Sequence, residues 1–123
     1  IAEGLRNLNI FKSEVTSILE SGAISMFFPH GVGHLVGLRV RDPGQEENTH
    51  PQKYCGVRLR VDLKLQENTL ITVEPGCYFH SALMNDPEMR TKYKDFINWD
   101  ELEKWKDFGG VRIEDNVLIT SKG

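Results

Sequence analysis

The sequence predicts an α+β fold in which short helices cover a sheet, and three observations predict it. Apolar residues recur at helical intervals near the start, alternation marks two later segments, and turn-forming residues separate them. With 123 residues, 39% of them hydrophobic, the chain has the length of one domain and enough apolar side chain for a core.

Residues 1 to 8 and 11 to 20 read as helices, because Leu5, Leu8 and Ile10, then Val15, Ile18 and Leu19, keep helical spacing around a break near Asn9. Ala23 to Phe28 is short, apolar and partly β-branched, and it runs into Pro29, which lacks a backbone donor, so it reads as a strand ending there. Residues 41 to 54 are rich in Pro, Gly, Asn, Gln and charge and read as an exposed loop. Val57 to Asp62 and Leu70 to Glu74 read as strands, joined by a turn at Gln66-Glu67-Asn68. In the second, alternation puts Thr72 and Glu74 on one face and Ile71 and Val73 on the other. Pro87 to Lys106 reads as helical, anchored by Met89, Tyr93, Phe96, Trp99, Leu102 and Trp105 and closed by Gly109-Gly110. The last segment, Val111 to Thr120, sets Val111 and Ile113 on one face and Arg112 and Glu114 on the other. Met26, Phe27, Phe28, Trp99 and Trp105 read as packing residues, and His50 and His80 as solvent-facing.

A net charge of -3 with mixed signs offers no basic stripe for nucleic acid. No apolar run approaches the roughly 18 to 20 residues that span a bilayer, and the start lacks a signal-peptide pattern, so no membrane role and a cytoplasmic location are expected. Cys55 and Cys77, 22 residues apart without a CxxC, fit neither a zinc knuckle nor a disulfide framework and read as reduced packing thiols. Ile1 opens directly on a helical pattern with no capping residue ahead, and the chain stops shortly after Ile119, so the sequence reads as a piece of a longer one.

Three clusters can carry chemistry. In Pro29-His30-Gly31-Val32-Gly33-His34, two imidazoles flank glycines that allow close approach of a metal or a substrate; a loop with surface histidines is the plain alternative. Glu74 ends an apolar strand, where a carboxylate must reach solvent or be paired. Glu114 lies on a β-like run, with a same-face ion pair to Arg112 as its plain alternative. Together, one imidazole and two carboxylates are suitable ligands for a divalent ion that activates water, and they favour manganese, cobalt, iron or zinc in a catalytic role over a structural, thiolate-bound zinc.

His30-Gly31-Val32-Gly33-His34, Ile71-Thr72-Val73-Glu74-Pro75-Gly76 and Phe108-Gly109-Gly110-Val111-Arg112-Ile113-Glu114-Asp115 resemble, in order and spacing, the second half of the pita-bread metallopeptidases: methionine aminopeptidase, aminopeptidase P and prolidase. Asp86-Pro87, Phe96, Asn98 and Leu102 before Phe108-Gly109-Gly110 resemble the insert of eukaryotic-style prolidases, which methionine aminopeptidase lacks. The resemblance covers residues 5 to 123 and implies a partial catalytic domain over 1 to 123 without its upstream half. The implied fold is the C-terminal half of a pita-bread fold, a curved, mostly antiparallel sheet covered by helices.

The resemblance implies hydrolysis of dipeptides with a C-terminal proline by metal-activated water. It implies two divalent ions, manganese foremost, and a homodimer. His34 and Glu74 would bind one ion, Glu114 would bridge it to the second, and two upstream aspartates, unmatched before His30, would complete the set. Glu74 would also handle the proton released on attack, and His30 would contact substrate and steady the tetrahedral intermediate. Arg60, 14 residues before Glu74, stands where prolidases place the arginine that grips the terminal carboxylate, and Arg112 resembles the family arginine beside the bridging glutamate. Seven residues after His34 the family pattern has histidine-aspartate, whereas this chain has Arg41-Asp42; arginine can hold an anion but cannot shuttle a proton near neutral pH. Arg41 therefore keeps open a second reading, a pita-bread pseudoenzyme acting as a binding module, and aminopeptidase P activity on longer peptides is a third.

Overall fold

The computed structural model describes residues 1–42 and 53–122. Helix α1 (Ala2–Asn7) turns at Asn9, whose positive φ of 58° reverses the chain, and α2 (Val15–Ser21) follows. Gly22 then adopts the left-handed conformation at φ 73° and stops α2. Ala23–Met26 is a 3-10 turn, not the strand expected from its β-branched, apolar run. Its burial explains the difference: Ala23, Ile24, Met26 and Phe27 all enter the core, which a strand's alternation would not permit.

Strands β1 (Lys53–Tyr54) and β2 (Val57–Arg58) form a small hairpin, so the strand expected over Val57 to Asp62 stops after its second residue. The expected loop over residues 41 to 54 lies mostly outside the described residues, as does His50, and its end belongs to β1. Strand β3 (Leu70–Val73) pairs antiparallel with β6 (Asp115–Leu118), and β4 (Gly76–Tyr78) with β5 (Gly110–Arg112). The expected last strand is thus broken at Ile113 and Glu114, where the chain passes from one ladder to the other. Residues 32–36 line the other side of β3: Val36 N–H donates to Leu70 O, Thr72 N–H to His34 O, and Glu74 N–H to Val32 O. Each ladder is antiparallel, as expected.

The expected helix over Pro87 to Lys106 divides into α4 (Pro87–Lys92) and α5 (Trp99–Glu103), after a single turn α3 (Ser81–Met84). Asp86 caps α4 by accepting from Glu88 N–H at 2.8 Å, with Pro87 in the first turn, where its missing donor is harmless. Asn98 is placed as the cap of α5, and its own N–H donates to Ile10 O, so the break between the helices fastens them to the turn after α1. The core lies among the helices, with Phe27 edge-on to both Phe11 and Phe79. Strands β5 and β6 are exposed throughout. Cys55 and Cys77 are free thiols, and His80 is exposed as expected. Among the described residues, no helix is long and apolar enough to cross a membrane.

Candidate metal and substrate site

The glycines of the first motif let residues 31–34 lie close against neighbouring backbone. A Cβ on Gly33 would fall on the Thr72 carbonyl oxygen, and one on Gly31 would stand 3.1 Å from Arg58 O. What approaches closely here is therefore β3 and β2. This contact brings His34 beside Thr72, whose Oγ1 accepts the His34 N–H at 3.0 Å. Thr72 and Glu74 are both buried on the same face of β3, as alternation predicts.

His34 and Glu74 then face each other, with 3.5 Å between Nε2 and Oε1, and their side chains are only 8% and 5% exposed. The His34 Nδ1 lies 3.0 Å from the Leu35 carbonyl oxygen. A carbonyl only accepts, so Nδ1 carries a proton; in the neutral ring Nε2 then directs a lone pair at the carboxylate, and in the protonated ring it donates to it. With the ring neutral, a cation between Nε2 and Oε1 would satisfy both atoms, and an imidazole anchored through its other nitrogen to a carbonyl is how metal-binding histidines are held. This donor pair fits a divalent ion.

Arg112, from β5, balances the buried carboxylate: its Nη1 lies 3.0 Å from Glu74 Oε2. The same guanidinium donates through Nε to the Tyr78 hydroxyl at 2.6 Å, and its Nη2 lies 3.2 Å from His30 Nε2. The bond to Tyr78, more than the nearby Glu74 and Glu114 carboxylates, raises the Arg112 pKa above its already high ordinary value. His30 Nδ1, 2.8 Å from Gly31 O, must donate there, so Nε2 is the acceptor for the Tyr78 hydroxyl at 3.0 Å. Tyr78 was not singled out in the sequence. Its position depends on glycines: a Cβ on Gly76 would strike its hydroxyl, and one on Gly110 would lie 2.6 Å from its ring.

Glu114 stands apart. Ile113 N–H donates to Pro75 O and Asp115 pairs with Val73, which carries the Glu114 backbone past Glu74, but its side chain is exposed and forms no ion pair with Arg112 among the described residues. The plain alternative for Glu114 therefore gives way to an Arg112–Glu74 pair. Among the described residues, no three His, Cys, Asp or Glu side chains gather closely enough to hold a metal ion.

A cavity of about 430 Å³ opens beside this cluster, lined by His30, His34, Arg41 and Arg60, four of the residues singled out in the sequence. Arg58 also lines it and was not singled out, since a lone arginine on a strand has no spacing signal. Arg58 and Arg60, two apart around Leu59, would share a face of the strand expected over Val57 to Asp62, and that is the signal that could have found it.

The sequence pattern of metallopeptidase family M24 matches residues 6–121. The chain is 41% identical over 121 residues to the "Probable Xaa-Pro aminopeptidase pepP" of Sclerotinia sclerotiorum, covering 98% of this chain and 22% of that protein. It is 36% identical over 124 residues to the Xaa-Pro dipeptidase of Shewanella denitrificans, covering 97% of this chain and 28% of that protein. Its fold is similar to that of the Pseudomonas aeruginosa aminopeptidase PepP, with a TM-score of 0.62, 28% identity, and coverage of 98% of this chain and 21% of that one. The chain thus spans about a quarter of the length of these curated relatives, and its helices and antiparallel ladders are part of an α+β pita-bread fold. Matched over nearly its whole length and at these identities, the chain belongs to metallopeptidase family M24.

Proposed function

We propose that this chain supplies part of a dinuclear divalent-metal site that hydrolyses the peptide bond before proline, with Xaa-Pro dipeptides as substrates. The observation that carries the reading is the buried His34–Glu74 pair, in which Nε2 and Oε1 face each other at 3.5 Å while the ring is held through Nδ1 on the Leu35 carbonyl. The relative named Xaa-Pro dipeptidase supports the substrate class.

His34, Glu74 and Glu114 are the ligands in this reading, with manganese as the metal. Bound ions would supply a water activated at neutral pH and polarise the scissile carbonyl. Glu74, fixed by Arg112 on one oxygen, keeps the other beside His34, where it can take the proton released on attack. His30 faces the cavity, but with Nδ1 engaged its Nε2 accepts, so donation to an oxyanion would use the protonated ring. Arg60 grips the terminal carboxylate, Arg41 adds positive charge on the same cavity, and Arg112 holds Glu74, Tyr78 and His30 in register. The working protein would be a cytoplasmic homodimer.

The test is hydrolysis of Ala-Pro by the full-length protein supplied with Mn²⁺. Cleavage that disappears in Glu74→Gln and His34→Ala is expected; no cleavage under conditions where a control prolidase is active overturns the reading. A second reading, a non-catalytic binding module, is favoured by Arg41 and by the isolation of Glu114. It requires the purified full-length protein to hold no stoichiometric divalent ion. Aminopeptidase activity on longer peptides, the activity in the name of the Sclerotinia sclerotiorum relative, is tested by comparing Ala-Pro with Ala-Pro-Ala.

A further inference from the structure

The cavity beside His30 and His34 is more cationic than one terminal carboxylate requires. Arg41, Arg58 and Arg60 all line it, against Asp42 as the carboxylate among its described lining residues. None of the three arginines forms an ion pair with another described residue. Outside the cavity lining, the β1–β2 register sets Lys53 directly opposite Arg58. Like charges in facing positions cost stability, and an anion lying between or beside them relieves that cost.

We infer that this cavity binds a ligand carrying two carboxylates. The first, on Arg60, rests on the peptide reading given above. The second falls to Arg58 and Arg41, which together carry one positive charge more than Asp42 can balance when Arg60 is occupied. A guanidinium presents a planar fork that engages both oxygens of a carboxylate, so three forks around one hollow suit a dianion better than a monoanion. The second carboxylate has two possible sources with the same chemistry: an acidic side chain on the dipeptide, as in Glu-Pro, or a separate small dicarboxylate.

Calorimetric titration of the metal-free, full-length protein at low salt distinguishes them. Glu-Pro is compared with Gln-Pro, and succinate with succinamate, each pair alike in shape and different by one charge. In at least one pair the dicarboxylate is expected to bind roughly 3- to 10-fold more tightly, as two half-exposed ion pairs allow, and the ratio is expected to fall toward one in Arg58→Gln or Arg41→Gln. Circular dichroism checks that both variants remain folded. A preference in the peptide pair assigns the second carboxylate to the substrate, and a preference in the succinate pair alone assigns it to a free anion; both uphold the inference. Undetectable binding, equal affinities within both pairs, or a preference that neither substitution reduces overturns it. Binding is read without metal, so a failure of Ala-Pro hydrolysis by the metal-loaded protein would sink the proposed function and leave this inference standing.

Discussion

Replacing Thr72 by valine removes a hydroxyl that touches both His34 and Glu74. Thr72 is 3% exposed; its Oγ1 accepts from His34 N–H at 3.0 Å and stands 3.5 Å from Glu74 Oε1. Valine keeps the branched shape, so packing against β6 changes little and the lost polar contacts dominate. A buried N–H left unpaired costs about 1–3 kcal/mol, and a methyl beside the carboxylate adds to it, so a loss of about 2 kcal/mol is expected. Urea unfolding followed by the fluorescence of Trp99 and Trp105 reads this as a lower midpoint. Thr72→Ser keeps the hydroxyl and loses one methyl, for about 1 kcal/mol. Because both donors rest on the same hydroxyl, Mn²⁺ affinity should fall roughly 10-fold in Thr72→Val and far less in Thr72→Ser. If Thr72→Val unfolds at the parent's urea concentration, or Ser costs as much as Val, the hydroxyl is not what holds the two donors together.

In the metal-free protein, Arg112→Gln should cost about 1–2 kcal/mol, between the values for exposed and buried pairs, since Glu74 is 5% and Arg112 37% exposed; an unchanged urea midpoint would contradict this. Gly33→Ala should cost at least about 3 kcal/mol and abolish metal binding, because the new Cβ meets the Thr72 carbonyl and residues 31–34 must leave β3; a folded, Mn²⁺-binding variant would refute that. Burial raises the Cys77 thiol pKa. Its thiolate is therefore scarce at neutral pH, and iodoacetamide labelling mapped by mass spectrometry should rise only above the ordinary thiol range. Because the proton-bound form is favoured in the fold, this stabilisation is complete below the ordinary thiol pKa and is lost as pH rises through the raised one; Cys77→Ala should flatten that alkaline decline.

The parts of the fold legible in the sequence are those set by local periodicity. The face of β3 was readable because Thr72 and Glu74 alternate with Ile71 and Val73, and α2 because Val15, Ile18 and Leu19 keep helical spacing. Ala23–Met26 was misread because a short apolar run suits a strand or a buried turn equally, and the left-handed Gly22 before it decided the matter. In the site, His34 and Glu74 were legible through their motifs. Tyr78 was not, because its contact with Arg112 exists only through the register that pairs Gly76 with Arg112 and Tyr78 with Gly110. Arg58 left a weaker signal than the motifs did, its two-residue spacing from Arg60, and the wall it shares with His30, His34 and Arg41 is assembled from separate segments.

One guanidinium serving Glu74, Tyr78 and His30 ties the energetics of three separate chain segments into a single unit. Once Arg112 is gone, the His30 ring nitrogen is the partner left to the Tyr78 hydroxyl among the described residues, and losing it as well removes less than it would from the intact cluster. The cost of the double change falls short of the sum of the single ones, so the first substitution is the expensive one whichever residue it strikes. Sequence drift at these positions is therefore expected to come in linked sets, and a chain that had lost one member would have little left to hold the others.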